Sequence, residues 1–222
     1  MTSNYTDQIK RQTRDAYNWL AASYAQNWGN HIDQTLTEPF LKLLPPQAII
    51  LDVGCGPGQY TKYFARRNCK TVGIDLSANM LGQARPIFRN GLFSRMDMWN
   101  MGFPTGLFDA LWVCASFPHV PENEAVRVLT EFKRIIKNQG VLFLGIILGD
   151  APVRIESRQE MGNYDREGRF FQWYRELPQF EPYLIGAGFE IVETRSRTIH
   201  SNVVENARCK TNTWLNIYCR AT

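Results

Sequence analysis

The residues best suited to chemistry are three glycines at alternate positions that follow a short apolar run. The run 48–53 carries one acid, Asp52, and Gly54, Gly56 and Gly58 come directly after it. Such a run is typical of a strand buried on both faces, and glycines let the backbone turn tightly and approach a ligand closely. Residues at helical spacing follow the glycines, so the turn leads into the N-terminus of a helix. Backbone N–H groups at such a terminus would face the ligand. The pattern predicts a ligand-binding turn between a strand and a helix.

The glycine spacing discriminates between classes of ligand. A dinucleotide-binding turn requires G-x-G-x-x-G, and its third glycine would fall at position 59, which is Gln59. The sequence instead has G-x-G-x-G, with an acid two residues before the first glycine. This spacing argues against a nicotinamide-dependent oxidoreductase, and an ordinary tight turn between strand and helix is the structural alternative.

The segment Leu51–Gly58 resembles the first motif of class I S-adenosylmethionine-dependent methyltransferases, and the resemblance extends over roughly residues 38–220. It implies an α/β, Rossmann-like sheet of seven mostly parallel strands with an antiparallel last strand, helices on both faces and an N-terminal helical lid. It also implies that S-adenosylmethionine is the cofactor and S-adenosylhomocysteine the product. The implied reaction is in-line transfer of a methyl group to oxygen or nitrogen of a small molecule.

The cofactor residues follow from the order of the later motifs. Asp75 ends the second predicted strand, where a carboxylate can accept both ribose hydroxyls of a nucleoside held by the glycine turn. A simple strand-end cap is the alternative for this acid. By resemblance, the cofactor-binding residues are Asp52, Gly54, Cys55, Gly56, Gly58, Tyr60, Asp75, Leu76, Met80, Asp97, Met98, Cys114 and Ala115.

The adenine end of the cofactor is predicted to lie after the third strand, 92–96. Asp97 and Met98 resemble the acid and apolar neighbour that accept from the adenine amino group and cover its ring. Trp99 and Met101 lie nearby, but apolar residues after a strand are more often part of the core.

One histidine lies where a catalytic group is expected. The predicted fourth strand, Phe108–Ser116, leads to His119, which the resemblance places beside the methyl donor. Imidazole titrates near neutral pH, so His119 could act as a base or orient the acceptor. A base is needed for a hydroxyl acceptor and dispensable for a free amine. The alternative is a structural histidine bonded to a backbone carbonyl.

The N-terminal helix, predicted over residues 5–28, carries aromatic residues at helical spacing. Docking on the core by this stripe is one interpretation. The other is a lid, because Tyr17, Ala21 and Tyr24 match a Tyr-x-x-x-Ala-x-x-Tyr pattern of similar methyltransferases. A ring near a sulfonium gains ~0.5–2 kcal/mol. Tyr17 and Tyr24 are therefore predicted to contact the substrate.

The remaining regions complete one predicted domain over residues 1–222, with N-terminal helices in 1–46, a cofactor-binding core in 47–148 and a substrate-side insertion in 149–176. A helix and a hairpin are predicted for 177–222. In the insertion the formal charges nearly cancel, which is typical of a solvated, ion-paired segment. Arg169 and Tyr174 resemble residues that border the acceptor pocket.

Composition narrows the function further. The 222 residues are 44% hydrophobic with a net charge of +4, and no cluster of lysine and arginine suggests nucleic-acid binding. No apolar run approaches the ~20 residues that cross a bilayer. The five cysteines lack C-x-x-C spacing, so neither a metal site nor a disulfide framework is predicted. We expect a cytoplasmic monomer or homodimer; a non-catalytic subunit that binds S-adenosylmethionine or S-adenosylhomocysteine is the alternative.

Overall fold

The computed structural model describes residues 2–149, 167–199 and 212–222. Most of the charged stretch of the predicted insertion, 150–166, and His200 lie outside the described residues. Within these residues no helix combines the length and the hydrophobicity needed to span a membrane.

Of the eight strands in the described residues, seven follow one another across the sheet in the order β3-β2-β1-β4-β5-β8-β7. The first five in sequence are parallel to one another, and β8 is antiparallel to both of its neighbours. The predicted fold class is therefore confirmed. The strands are β1 (Ile49–Val53), β2 (Lys70–Asp75), β3 (Leu92–Arg95), β4 (Phe108–Val113), β5 (Ile136–Leu148), β7 (Phe189–Ile199) and β8 (Asn212–Ala221).

A two-residue strand, β6 (Trp173–Tyr174), was not predicted. It pairs in parallel with Ile147 and Leu148, beyond the point where β4 ends. This pairing fixes the last part of the predicted insertion against the carboxyl end of β5.

Six α-helices accompany the sheet in the part of the chain that the structure describes. They are α1 (Thr2–Trp28), α2 (Gln34–Lys42), α3 (Gln59–Ala65), α4 (Ala78–Ile87), α5 (Ala125–Ile135) and α6 (Leu177–Gly186). Side-chain oxygens of Asp33 and Ser77 accept from backbone N–H groups at the starts of α2 and α4, as expected for N-cap residues.

The start of β5 differs from the expectation. The sequence predicts a helix that stops at Gly140, but α5 ends at Ile135 and β5 begins with the next residue. Near its start the pairing of β5 with β4 shifts register, and Gln139 in this segment has a φ of +60°. Gly140 serves close packing there, because a Cβ atom would lie 2.6 Å from Cγ1 of Ile136.

Apolar side chains cover both faces of the sheet, which explains the continuous apolar runs of the central strands. On one face Trp112 stacks on Phe143 with ring centroids 3.9 Å apart, and Phe40 and Phe64 of the flanking helices pack against Trp112. The other face packs against α5 and α6. The carboxyl ends of β1, β2 and β4 remain for the site, and α1 lies across them.

Candidate active site

The glycine turn is held by backbone hydrogen bonds to the neighbouring strand. The N–H groups of Gly54 and Cys55 donate to the carbonyl of Ile74 at 2.8 and 2.9 Å. Gly54, Gly56 and Gly58 have φ values of +71°, +52° and +79°, a region that other residues rarely adopt. At Gly54 a Cβ atom would also lie 2.4 Å from Cβ of Ser116. The turn is therefore compact and requires glycine.

Asp75 lies at the tip of β2 and binds the glycine turn directly. Its Oδ2 accepts from the N–H of Gly56 at 2.9 Å, and its Oδ1 accepts from the N–H of Ser77 at 2.8 Å. Burial raises the pKa of this carboxyl to about 6 although both bonds favour the charged form. Each carboxylate oxygen has two lone pairs, so acceptor capacity remains for ribose hydroxyls.

A second carboxyl, Asp52, lies beneath the turn and is only 3% exposed. It accepts from Oγ1 of Thr61 in α3 at 2.6 Å. Burial raises its pKa to about 7, and the charge of Asp75 contributes in the same direction. In the structure Asp52 therefore ties the turn to α3, and its contact with a cofactor stays a prediction.

The predicted floor of the site is the end of β4. The fourth strand stops at Val113, three residues earlier than expected, because Ala115 adopts a left-handed conformation with φ +59°. Oγ of Ser116 then donates to the carbonyl of Val53 at 2.6 Å. Burial raises the pKa of the Cys114 thiol to about 12, so the thiol is protonated at neutral pH.

Three further residues that are predicted to bind the cofactor lie on elements next to the glycine turn. Met80 is buried in α4, Leu76 is half-buried after β2, and the Tyr60 ring lies 5.1 Å from that of Trp112. The Tyr60 hydroxyl accepts from the N–H of Asp33 at 3.5 Å.

At the predicted adenine end, both oxygens of Asp97 have partners within the protein. Oδ1 accepts from the N–H of Trp99 at 3.0 Å, and Oδ2 forms an ion pair with Nζ of Lys10 at 2.9 Å. Met98 packs against the core, and Trp99 and Met101 are buried in it. For the last two residues the core alternative is therefore correct.

His119 is buried and hydrogen-bonded through both ring nitrogens. Nδ1 lies 2.5 Å from the carbonyl of Phe170, which can only accept, so Nδ1 carries a proton. Nε2 lies 2.8 Å from the hydroxyl of Tyr17 and accepts from it in the neutral ring. Burial, with the nearby charge of Arg169, lowers the pKa of His119 to about 4. The imidazole is therefore neutral near pH 7, with a fixed tautomer.

The other predicted acceptor residues divide into two groups. The guanidinium of Arg169 lies 5.6 Å from the Tyr17 ring, and Cε1 of Tyr24 lies 3.9 Å from the position of a Cβ atom on Gly56. Tyr17, Tyr24, Arg169 and His119 are thus brought together. Tyr174 is not: it is 1% exposed and packs against Phe180 with centroids 4.8 Å apart. The prediction that Tyr174 contacts the acceptor is therefore wrong, because the pairing of β6 places this ring in the core.

Sequence reasoning missed several α1 residues that contact the site. Lys10 pairs with Asp97, and Oδ1 of Asn18 accepts from Oγ of Ser77 at 2.7 Å. The signal was present, because the spacing of the aromatic stripe continues toward the N-terminus through polar residues: Thr6, Lys10, Thr13, Tyr17 and Tyr24.

Within the part of the chain that the structure describes, no three His, Cys, Asp or Glu side chains gather into a set that could hold a metal ion.

Substituting Asn for Asp52 is expected to stabilise the ligand-free protein above pH 5. Because the folded-state pKa of Asp52 is raised to about 7, the folded protein retains a proton that the unfolded chain releases near pH 4, and stability falls as pH rises between these values. Asn keeps an acceptor for Thr61 and removes this dependence. Urea unfolding should show the advantage of Asp52→Asn growing by roughly 2 kcal/mol from pH 5 to pH 8.

Asp15→Asn is the control, because Asp15 is exposed and its pKa is lowered by Arg14. A constant difference between Asp52→Asn and the parent over this pH range would contradict the raised pKa of Asp52.

Residues 50–140 match a family model described as "Methyltransferase domain". Trans-aconitate 2-methyltransferase of Afipia carboxidovorans is 31% identical over 160 residues, which cover 71% of this chain and 55% of that protein. Malonyl-[acyl-carrier protein] O-methyltransferase of Enterobacter lignolyticus is 29% identical over 145 residues, or 64% of this chain and 56% of that protein. The chain thus spans a little over half the length of these curated relatives.

Solved structures share the fold at low sequence identity. The 1,6-didemethyltoxoflavin-N1-methyltransferase of Burkholderia thailandensis, solved with 1,6-didemethyltoxoflavin and S-adenosylhomocysteine, has a TM-score of 0.70 and 17% identity. The match covers 97% of this chain and 90% of that one. Family model, relatives and fold agree in supporting the predicted class I S-adenosylmethionine-dependent methyltransferase, and the predicted cofactor is the one that these proteins use.

Proposed function

We propose that the protein transfers a methyl group from S-adenosylmethionine to a small-molecule acceptor bound between α1 and the carboxyl edge of the sheet. The bond from the Gly56 N–H to Asp75 carries this proposal. It brings the glycine turn of β1 and the acid of β2 to one place, where a nucleoside can contact both.

In this proposal each part of the cofactor meets a different group. The glycine backbone lies along the methionine end, Asp75 accepts from the ribose hydroxyls and Asp97 accepts from the adenine amino group. The backbone of Cys114 and Ala115 lies beneath the sulfur. When bound, S-adenosylmethionine would supply a methyl group on a positively charged sulfur, and the neutral thioether S-adenosylhomocysteine would be the leaving group. The protein then has to align donor and acceptor and exclude water.

Tyr17, Tyr24 and His119 are proposed to form the wall of the acceptor chamber. The ring centroids of Tyr17 and His119 are 5.2 Å apart, and those of Tyr17 and Tyr24 are 6.0 Å apart. His119 presents a neutral, hydrogen-bonding edge to this chamber through the hydroxyl of Tyr17. Rings on this side also suit a sulfonium, since a cation over an aromatic face is stabilised.

The charge of Arg169 favours an acceptor that carries a carboxylate or another anionic group. Its side chain is 18% exposed, pairs with Glu167 at 3.5 Å and lies 5.5 Å from the ring of Phe171. A partly buried guanidinium recognises a planar carboxylate strongly. The names of two relatives agree with this class of acceptor, since one is named for trans-aconitate and the other for a malonyl group.

The role of His119 depends on the reacting atom. A carboxylate acceptor is already ionised and needs only orientation, whereas a hydroxyl acceptor must lose its proton to a base. The fixed tautomer leaves Nε2 of His119 as the nitrogen that can accept, either directly or through the hydroxyl of Tyr17.

Asp75→Ala is expected to weaken binding of S-adenosylhomocysteine at least tenfold, because the ribose hydroxyls lose a charged acceptor. Titration calorimetry on the folded variant measures this effect. Glu190→Ala, which removes an exposed acid on β7, should bind like the parent. Equal affinity of Asp75→Ala and the parent would refute the proposed cofactor site.

His119→Ala should lower kcat by about 10²-fold while the affinity for S-adenosylhomocysteine changes less than about twofold. The residue lies on the acceptor side, so cofactor binding does not depend on it. Steady-state kinetics and calorimetry on the same preparation give the two values. Similar losses in both would instead indicate a purely structural histidine.

Arg169→Met should raise KM for an acidic acceptor about tenfold or more and leave the cofactor affinity unchanged. The acceptor is identified with methyl-labelled S-adenosylmethionine over pairs of carboxylic acids and their amides. Arg175→Met, at an exposed arginine nearby, is the matched control. Preference for the amide over the acid would contradict an anionic acceptor, and absence of any methylated product would favour a binding subunit.

A further inference from the structure

The polar stripe of α1 contacts the site along most of the length of the helix. Oγ1 of Thr6 donates to Glu124 at 3.1 Å, and Oγ1 of Thr13 accepts from the N–H of Phe170 at 3.3 Å. Lys10, Tyr17 and Asn18 bind groups that flank the cofactor or the acceptor, namely Asp97, His119 and Ser77. α1 is thus attached to the site by polar bonds, several of them to groups that a ligand would use.

Of these bonds, the one between Lys10 and Asp97 overlaps most directly with the predicted position of the adenine. The side chains of Lys10 and Asp97 are 15% and 32% exposed, and Nζ of Lys10 also lies 4.3 Å from the ring centroid of Trp99. Oδ1 of Asp97 is bonded to the N–H of Trp99, and an adenine amino group that binds the other oxygen, Oδ2, has to approach the place where the Lys10 ammonium lies. Lys10 holds that same oxygen.

We propose that Lys10 is a positioning residue that controls cofactor entry, by competing with the adenine amino group for Oδ2 of Asp97. The proposal rests on the proposed placement of the adenine. In the ligand-free protein the ion pair holds α1 across the cleft, and the cofactor binds after this bond opens. On binding, the adenine amino group takes the place of the ammonium on Asp97.

Tyr24 extends the same conflict to the other end of the cleft. Its ring lies against Gly56, with Cε1 at 3.9 Å from the position of a Cβ atom, so the ring is close to the predicted methionine position. Opening at Lys10 and displacement of Tyr24 are then parts of one movement of α1.

Competition of this kind affects association and dissociation differently. The apparent affinity is reduced by the fraction of protein in which the cleft is open. Loss of the ion pair raises that fraction, so the cofactor should bind faster. Dissociation from the bound state, in which Lys10 has left Asp97, should not change.

The test is stopped-flow binding of S-adenosylhomocysteine, followed by the fluorescence of the protein's six tryptophans. Lys10→Met keeps the length and apolar contacts of the side chain but removes the charge. We expect its association rate constant to rise about fivefold with an unchanged dissociation rate constant, as for loss of a partly exposed ion pair. Lys10→Arg should behave like the parent, and so should Lys42→Met, at an exposed lysine on α2.

Salt provides a second readout that a merely structural role would not change. S-adenosylhomocysteine has no net charge at neutral pH, so added salt acts chiefly on the ion pair. The association rate constant of the parent should rise between 0.05 and 0.5 M salt, here on the order of threefold. That of Lys10→Met should stay constant.

Hydrogen exchange of the amides of residues 5–28 keeps the proposal testable if fluorescence changes are small. In the ligand-free state these amides should exchange faster in Lys10→Met than in Lys42→Met. Equal or slower association in Lys10→Met, with thermal unfolding like that of the parent, would overturn the proposal and place Lys10 in the bound state. Failure of the folded parent to bind S-adenosylhomocysteine would instead overturn the proposed function.

Discussion

The hydrogen bond from the Gly56 N–H to the carboxylate of Asp75 is the interaction on which the rest of the site depends. It joins the turn after β1 to the tip of β2, two elements that parallel pairing already brings side by side. The left-handed glycines make the bond possible, because another residue at this backbone conformation would be strained. The bond therefore fixes the position of the turn relative to Asp75, between which we propose that the nucleoside binds.

This arrangement costs stability in the ligand-free protein. Asp52 and Asp75 are two carboxyl groups held close together, and burial raises the pKa values of both, to about 7 and about 6. A bound ligand that donates hydroxyl groups to Asp75 offsets part of that cost. The free-energy cost of desolvation and like-charge repulsion therefore lies at a place where ligand binding can reduce it. Such arrangements are common at functional sites.

Local sequence signals predicted the fold and the position of Asp75 at the end of β2. The glycine spacing, the acid at the end of β2 and the apolar runs each depend on a few neighbouring residues. The sheet and the position of Asp75 could therefore be predicted from them.

The acceptor side could not be predicted in the same way. Whether Tyr174 faces a chamber or the core is decided by β6, a pairing with a residue 26 positions earlier, Leu148. The bonds from Lys10 and Asn18 to Asp97 and Ser77 likewise depend on where α1 docks, which no local pattern specifies.

The proposed function depends above all on a nucleoside that lies across the tips of β1 and β2, between the glycine turn and Asp75. A crystal structure of the full chain with S-adenosylhomocysteine measures its position. The ribose hydroxyls should lie at about 2.5–3.0 Å from the Asp75 carboxylate, the usual range for such bonds. A nucleoside located elsewhere, with Asp75 bonded only to Gly56 and Ser77, would contradict it.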